Sequence, residues 1–281
     1  MGKGEANKMN EYDHHKDSFS AVNEFKMGHI DKAADLFYDR YKQFPDYGSV
    51  HNYGVFVFYE NDFVISHHIT DDETTPCALK LLLDAEKINP GREKNALALS
   101  LCYHLHGDFQ MSLNALSGSE PAHLKKEFMW MTAVNCISLN EYQKALDILL
   151  NIIESSSDLH YQFWPLYAII KCKQMMQKSV QREFLCFRKC IQYLHFLAKS
   201  AKGPLTFDIV DMLTYAIPVI LLFGRNQDYR WISSKLNDIP MTDVDKQLLY
   251  TQADQYKEMV KQEFFDTELA KMIVFDLFEY D

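Results

Sequence analysis

The chain has 281 residues, 47% of them hydrophobic and 14% aromatic, which is enough apolar material for a sizeable core and argues against disorder along most of its length. With 29 Lys and Arg against 39 Asp and Glu, its formal net charge of -10 repels a phosphate backbone, so nucleic acid is not an expected partner. No run approaches a membrane span, no apolar core in the first residues suggests a signal peptide, and the 6 cysteines form no C-x-x-C pair, so a cytoplasmic protein with reduced thiols and no membrane partner is expected.

Residues 1–15 read as a flexible N-terminus, and "MGKGEA" has Ala6 where a myristoylation signal needs Ser or Thr. From Lys16 apolar residues fall at helical spacing. Ala21 is a small residue on a first helix, Gly28 marks a turn, Ala33 and Phe37 lie on a second helix, and Pro45 stops it. The run "YGVFVFY" (Tyr53 to Tyr59) is β-prone in composition, but nearly every residue is apolar and alternation fails, so it reads as a buried helix with Gly54 as its small residue. Asn61 is the next turn. The stretch "FVISHHITDDETTP" then interrupts the pattern, predicting an exposed, mobile excursion over 63–75, and the register resumes at Ala78, Leu82, Ala85 and Pro90.

Further along, "YHLHGDFQMSLNAL" carries Tyr103, Gly107, Ser112 and Leu116, and Ala133 with "SLNEYQKALDIL" supplies Asn140, Ala145 and Leu149. The turn markers Gly28 and Asn61 are 33 positions apart, as are Gly107 and Asn140. A Gly or Asn tolerates the left-handed backbone of a tight turn, and the small residues let paired helices approach closely. Both the interval and the markers resemble a tetratricopeptide repeat (TPR) array, whose units pair a helix A with a helix B at a period near 34 residues. The resemblance is clear over 16–155 and looser over 156–241, where the helices near Tyr161 to Met176 and Val180 to Ala201 are longer and "SAKGPLTFD" marks a joint. Gly224 and Pro240 repeat the theme, with Pro218 kinking the helix before them.

The fold that this resemblance implies is all-α, a right-handed α-solenoid of TPR-like helix-turn-helix repeats over 16–155, with irregular helical repeats and a capping C-terminal helix over 156–281. Phe264, Phe265, Met272, Ile273, Phe275, Leu277 and Phe278 would close the last exposed face. The alternative is that this apolar surface joins a partner or a second copy.

In TPR proteins the A helices line a concave groove, and their outward positions correspond here to His51, Phe58, Tyr59, Lys94, His104, Glu127 and Trp130. Aromatics and mixed charge suit an extended or helical peptide, although Phe58 and Trp130 read equally well as core. Some TPR domains clamp a terminal carboxylate with Lys, Asn and Arg. Asn52 and Lys94 occupy two of those five places, but Ser18, Val22 and Ala98 occupy the others, so that clamp is not expected. His67, His68, Asp71, Asp72 and Glu73 form the one cluster with ligand chemistry, yet adjacent histidines cannot share a helix face, and a solvated loop with no metal or cofactor is expected. The common nucleophile, phosphate-loop and zinc signatures are absent, and no catalytic residue is assigned. These features predict a non-catalytic interaction scaffold, an adaptor, chaperone or assembly subunit that captures a protein or peptide partner. The alternatives are a helical-repeat sensor of a small peptide or metabolite, and a metal-dependent enzyme built on His67, His68 and Asp71.

Overall fold

The computed structural model describes residues 20–60, 77–159, 161–200, 226–239 and 276–280, together with short stretches at 212–213, 216–217, 219–220, 246–247, 250–251 and 270. Among the described residues there is no strand. A helix through 20–26 (α1) is followed by α2 (Ile30–Gln43), α3 (Tyr47–Phe58), α4 (Ala78–Ile88), α5 (Glu93–Leu105), α6 (Phe109–Ser117), α7 (Lys125–Ser138), α8 (Tyr142–Glu154), α9 (Phe163–Met175) and α10 (Gln181–Ser200). A further helix covers Asn226–Asn237. No helix of the described residues is long and apolar enough to cross a membrane.

The chain divides into two compact units, one of Met1–Met131 with Val274–Asp281, the other of Thr132–Ile273. In the first, chain neighbours pack on one another: α2 on α3, α3 on α4, α4 on α5 and α5 on α6. In the second, α8 packs on α9 and α9 on α10. Such adjacent pairing is the packing of a helical repeat, in which each element buries its apolar face on the next.

The turns show why the sequence pairs its helices this way. Gly28, Gly107 and Asn140 all have positive φ, at 80°, 82° and 61°. At each, the turn N–H donates to the carbonyl three residues back and the following N–H to the carbonyl five back, as in Gly107 to His104 and Asp108 to Tyr103. These bonds satisfy carbonyls that a helix end leaves orphaned. Gln177, with φ 55°, repeats the pattern between α9 and α10 through Gln174 and Lys173.

The β-prone run is helical because it is enclosed on every side. Asp46 caps α3 by accepting from the Ser49 N–H at 2.8 Å, and Ser49 through Phe58 are all buried. A Cβ at Gly54 would stand 3.1 Å from Leu81 Cβ and Leu82 Cδ2, so glycine lets α3 approach α4. Ala21, Ala33, Ala85, Ala133 and Ala145 are buried as the repeat spacing requires, and Ser112 substitutes for alanine by donating to the Ser100 carbonyl at 2.7 Å.

One expected feature changes. The segment Asp276–Tyr280 is neither helical nor turned, and it lies within the first unit rather than continuing a helix that closes the array. Leu277 and Phe278, expected on the apolar face of that helix, are buried there at 1% and 2% exposure. The physical reason lies in its main chain, where side chains of α3 and α5 pair the carbonyls of 277–279 and the Glu279 N–H in place of the internal bonding of a helix. Residues 1–15, the insert at 63–75 with His67, His68 and Asp71, the Gly224 turn and the positions 264, 265, 272, 273 and 275 lie outside the described residues.

Candidate functional site

The residues that bind the main chain of 277–279 come from the early turns of two helices. On α3, Tyr47, His51 and Asn52 share the face toward the segment, with the Tyr47 ring stacked on the His51 imidazole at 5.5 Å, as i,i+4 spacing allows. On α5, Arg92 is the N-cap and Lys94 and Asn95 lie in the first turn. The Arg92 guanidinium covers the Tyr47 ring at 5.3 Å, which ties the two helix starts together.

Side chains bind the carbonyls of three successive residues and one N–H. His51 Nε2 lies 2.8 Å from the Leu277 carbonyl oxygen, and the Lys94 ammonium donates to the Phe278 carbonyl. Asn52 makes two bonds: its Nδ2 donates to the Glu279 carbonyl at 2.8 Å, and its Oδ1 accepts from the Glu279 N–H at 2.8 Å. A single primary amide thus reads both polar groups of one residue, as a neighbouring strand would.

Two side chains are read as well. The Phe278 ring enters a socket of Phe25 at 5.4 Å, Phe37 at 5.4 Å and nearly parallel, and Tyr59 at 5.6 Å. Phe56 backs the socket against Phe25 and Phe37. The Glu279 carboxylate accepts from the Tyr47 hydroxyl at 3.0 Å and from Arg92 at 3.4 Å. At the ends of the segment, Lys26 donates to Asp276 at 3.1 Å and to the Tyr280 hydroxyl at 2.6 Å, and both Lys26 and Lys94 lie over the Tyr280 ring. These outer contacts are solvent-exposed and contribute less than the buried ones.

Electrostatics follow from burial. Burial, with the Glu279 carboxylate beside it, holds the Tyr47 hydroxyl protonated well above the ordinary tyrosine range, so it serves as a donor. Tyr59 is raised for the same first reason. Burial pushes the His51 imidazole below its usual value, against opposing bonds to Leu277 and Asn95, and Lys94 adds to the depression. The His51 ring faces two acceptors, because Asn95 Oδ1 lies 3.0 Å from Nδ1, while Asn95 Nδ2 is committed to the Leu82 carbonyl and Glu86. For Asp276, partial burial opposes ionisation, but bonds from Tyr280 and Lys26 hold it below the normal carboxylate range.

Of the residues expected to line the groove, His51, Tyr59 and Lys94 touch the segment. Phe58 is fully buried behind Tyr59, with ring centroids 5.8 Å apart. His104, against Phe109 at 5.1 Å, and Trp130 are also fully buried, and all three lie in the core. Glu127 is half-buried in the first turn of α7. The sequence pattern gives no role to Tyr47, Arg92, Lys26 or Phe25, and marks Phe37 only as a contact within its own helix pair. Asn52 and Lys94, the two positions matched in sequence to a carboxylate clamp, both bond to peptide main chain. Val22 and Ala98 are core, and Ser18 lies outside the described residues.

Among the described residues no cluster of His, Cys, Asp and Glu could hold a metal, and the six cysteines are free thiols. The groove offers donors for carbonyls, an acceptor for an amide, an aromatic socket and cations for an acidic side chain. No family model matches the chain, and no curated protein does.

Proposed function

We propose that the chain is a TPR-like, right-handed helical scaffold whose first unit captures an extended peptide, and that this capture, without catalysis, is its biochemical role. The observation that carries the reading is the seating of Asp276–Tyr280, with Asn52 pairing both polar groups of Glu279 and with His51 and Lys94 at the two preceding carbonyls. A site that needs only to fill space would be apolar throughout. This one combines an aromatic socket with a few convergent polar groups, the composition of a peptide or ligand site. The partner is a protein segment presented as open chain, and the scaffold acts as an adaptor, chaperone or assembly subunit.

The test is selection of a random peptide library on the 281-residue chain carrying Phe278→Ala and Glu279→Ala, which removes the two side chains that the groove holds. Enriched peptides that Asn52→Ala no longer retains are the expected result. A folded protein that enriches no sequence contradicts the reading.

A further inference from the structure

The groove is more selective than the capture of any open chain requires. Main-chain bonds to Leu277, Phe278 and Glu279 fix the register, and at that register one side chain falls in the aromatic socket and the next on Tyr47 and Arg92. Leu277, Phe278 and Glu279 are all buried, whereas Asp276 and Tyr280 are exposed at the rim. In a chain whose net charge is -10, three cations surround the segment: Lys26 pairs with Asp276, Arg92 pairs with Glu279, and Lys94 bonds the Phe278 carbonyl.

We infer that this groove is a site for a partner segment of the pattern Leu-Phe-Glu, and that residues 276–280 of this chain are a tethered occupant which the partner must displace; the inference rests on the peptide-capture reading above. Two observations make the segment a replaceable ligand. Its backbone is held by side chains of the groove, so a second peptide with the same three residues can take over every bond. Being part of the same chain, it also competes with a free partner at an effective concentration set by its covalent linkage, without adding any contact. The inhibition is therefore built from the same contacts as the recognition.

The probe is a fluorescent peptide of sequence Phe-Asp-Leu-Phe-Glu-Tyr, titrated into the full-length natural chain and into the chain carrying Phe278→Ala and Glu279→Ala. Binding at least about tenfold tighter to the double variant is expected, as is loss of binding when the second Phe of the probe is replaced by Ala. Equal binding to both chains overturns the tethered competition and leaves peptide capture standing. No binding to a double variant with the natural helix content and melting temperature overturns both. If the double variant does not fold, the natural chain with Phe278→4-fluorophenylalanine decides the matter. Its fluorine resonance should move to the free-peptide position as unlabelled peptide is added. A resonance that stays fixed at saturating peptide makes the segment a permanent part of the fold and overturns the inference. A dimer in which a second copy donates the segment, seen by light scattering, overturns it too.

Discussion

Truncating Phe278 to alanine tests how tightly the groove holds the segment. The ring is buried to 2% exposure among Phe25, Phe37 and Tyr59. Burying a phenylalanine contributes about 1.5–3 kcal/mol, and each aromatic pair adds about 0.5–1.5 kcal/mol, so the loss is about 3 kcal/mol or more. At about 1.4 kcal/mol per tenfold, opening of the segment becomes on the order of a hundredfold more frequent. The Glu279 amide reports that opening directly, because its proton is bonded to Asn52 Oδ1 at 2.8 Å. Amide exchange followed by NMR should show its protection falling by about two orders of magnitude in Phe278→Ala. Protection around Leu149, in the other unit, should not change. Unchanged protection at Glu279 would mean that the ring in its socket is not what holds the segment.

Further predictions concern the repeat and the pH response. Ala145, fully buried five residues after the Asn140 turn, has no room for added methylenes. Ala145→Leu should cost about 1–3 kcal/mol in thermal unfolding, and an unchanged melting temperature would contradict the repeat register. Gln177 holds a left-handed conformation at φ 55°, which costs a side-chain-bearing residue about 1 kcal/mol, so Gln177→Gly should raise the melting temperature and a fall would show that the side chain contributes something the turn does not need. For His51 the bound-state pKa is lowered, chiefly by burial, so the seated segment favours the neutral ring. Its stabilisation is fully present above the ordinary value of 6.5 and is lost as pH falls through the lowered one. Glu279 amide protection, corrected for intrinsic exchange, should therefore decline on acidification and lose that component in His51→Gln. Stronger seating at low pH would mean that the two acceptors facing the ring outweigh its burial.

Much of the helix pairing was legible because a tight interhelical turn needs positive φ, and Gly28, Gly107 and Asn140 are residue types that supply it. Gln177 was not, because glutamine gives no such signal and the surrounding helices impose the conformation. The Tyr53–Tyr59 run is a helix on the strength of its failed alternation, and Gly54 explains why it can be enclosed. Of the outward positions expected from the repeat resemblance, His51, Tyr59 and Lys94 touch the segment, whereas Phe58, His104 and Trp130 are in the core, a rotation that periodicity does not specify. The seat of the segment was the hardest to foresee. Leu277 and Phe278 fit the apolar stripe of a helix equally well, and their contacts with α3 span 226 and more positions of sequence, a distance at which spacing carries no information.

Side chains of α3 and α5 hold the main chain of 277–279, and Asn52 contributes most to that hold. Asn52 spends both ends of its amide on one residue of the segment, two hydrogen bonds each contributing about 0.5–1.5 kcal/mol. Isothermal titration of the peptide Phe-Asp-Leu-Phe-Glu-Tyr into the chain carrying Phe278→Ala and Glu279→Ala should give one site per chain. Adding Asn52→Ala should weaken that site about fivefold to a hundredfold, without altering the helix content. Equal affinity with and without the Asn52 amide would contradict the account.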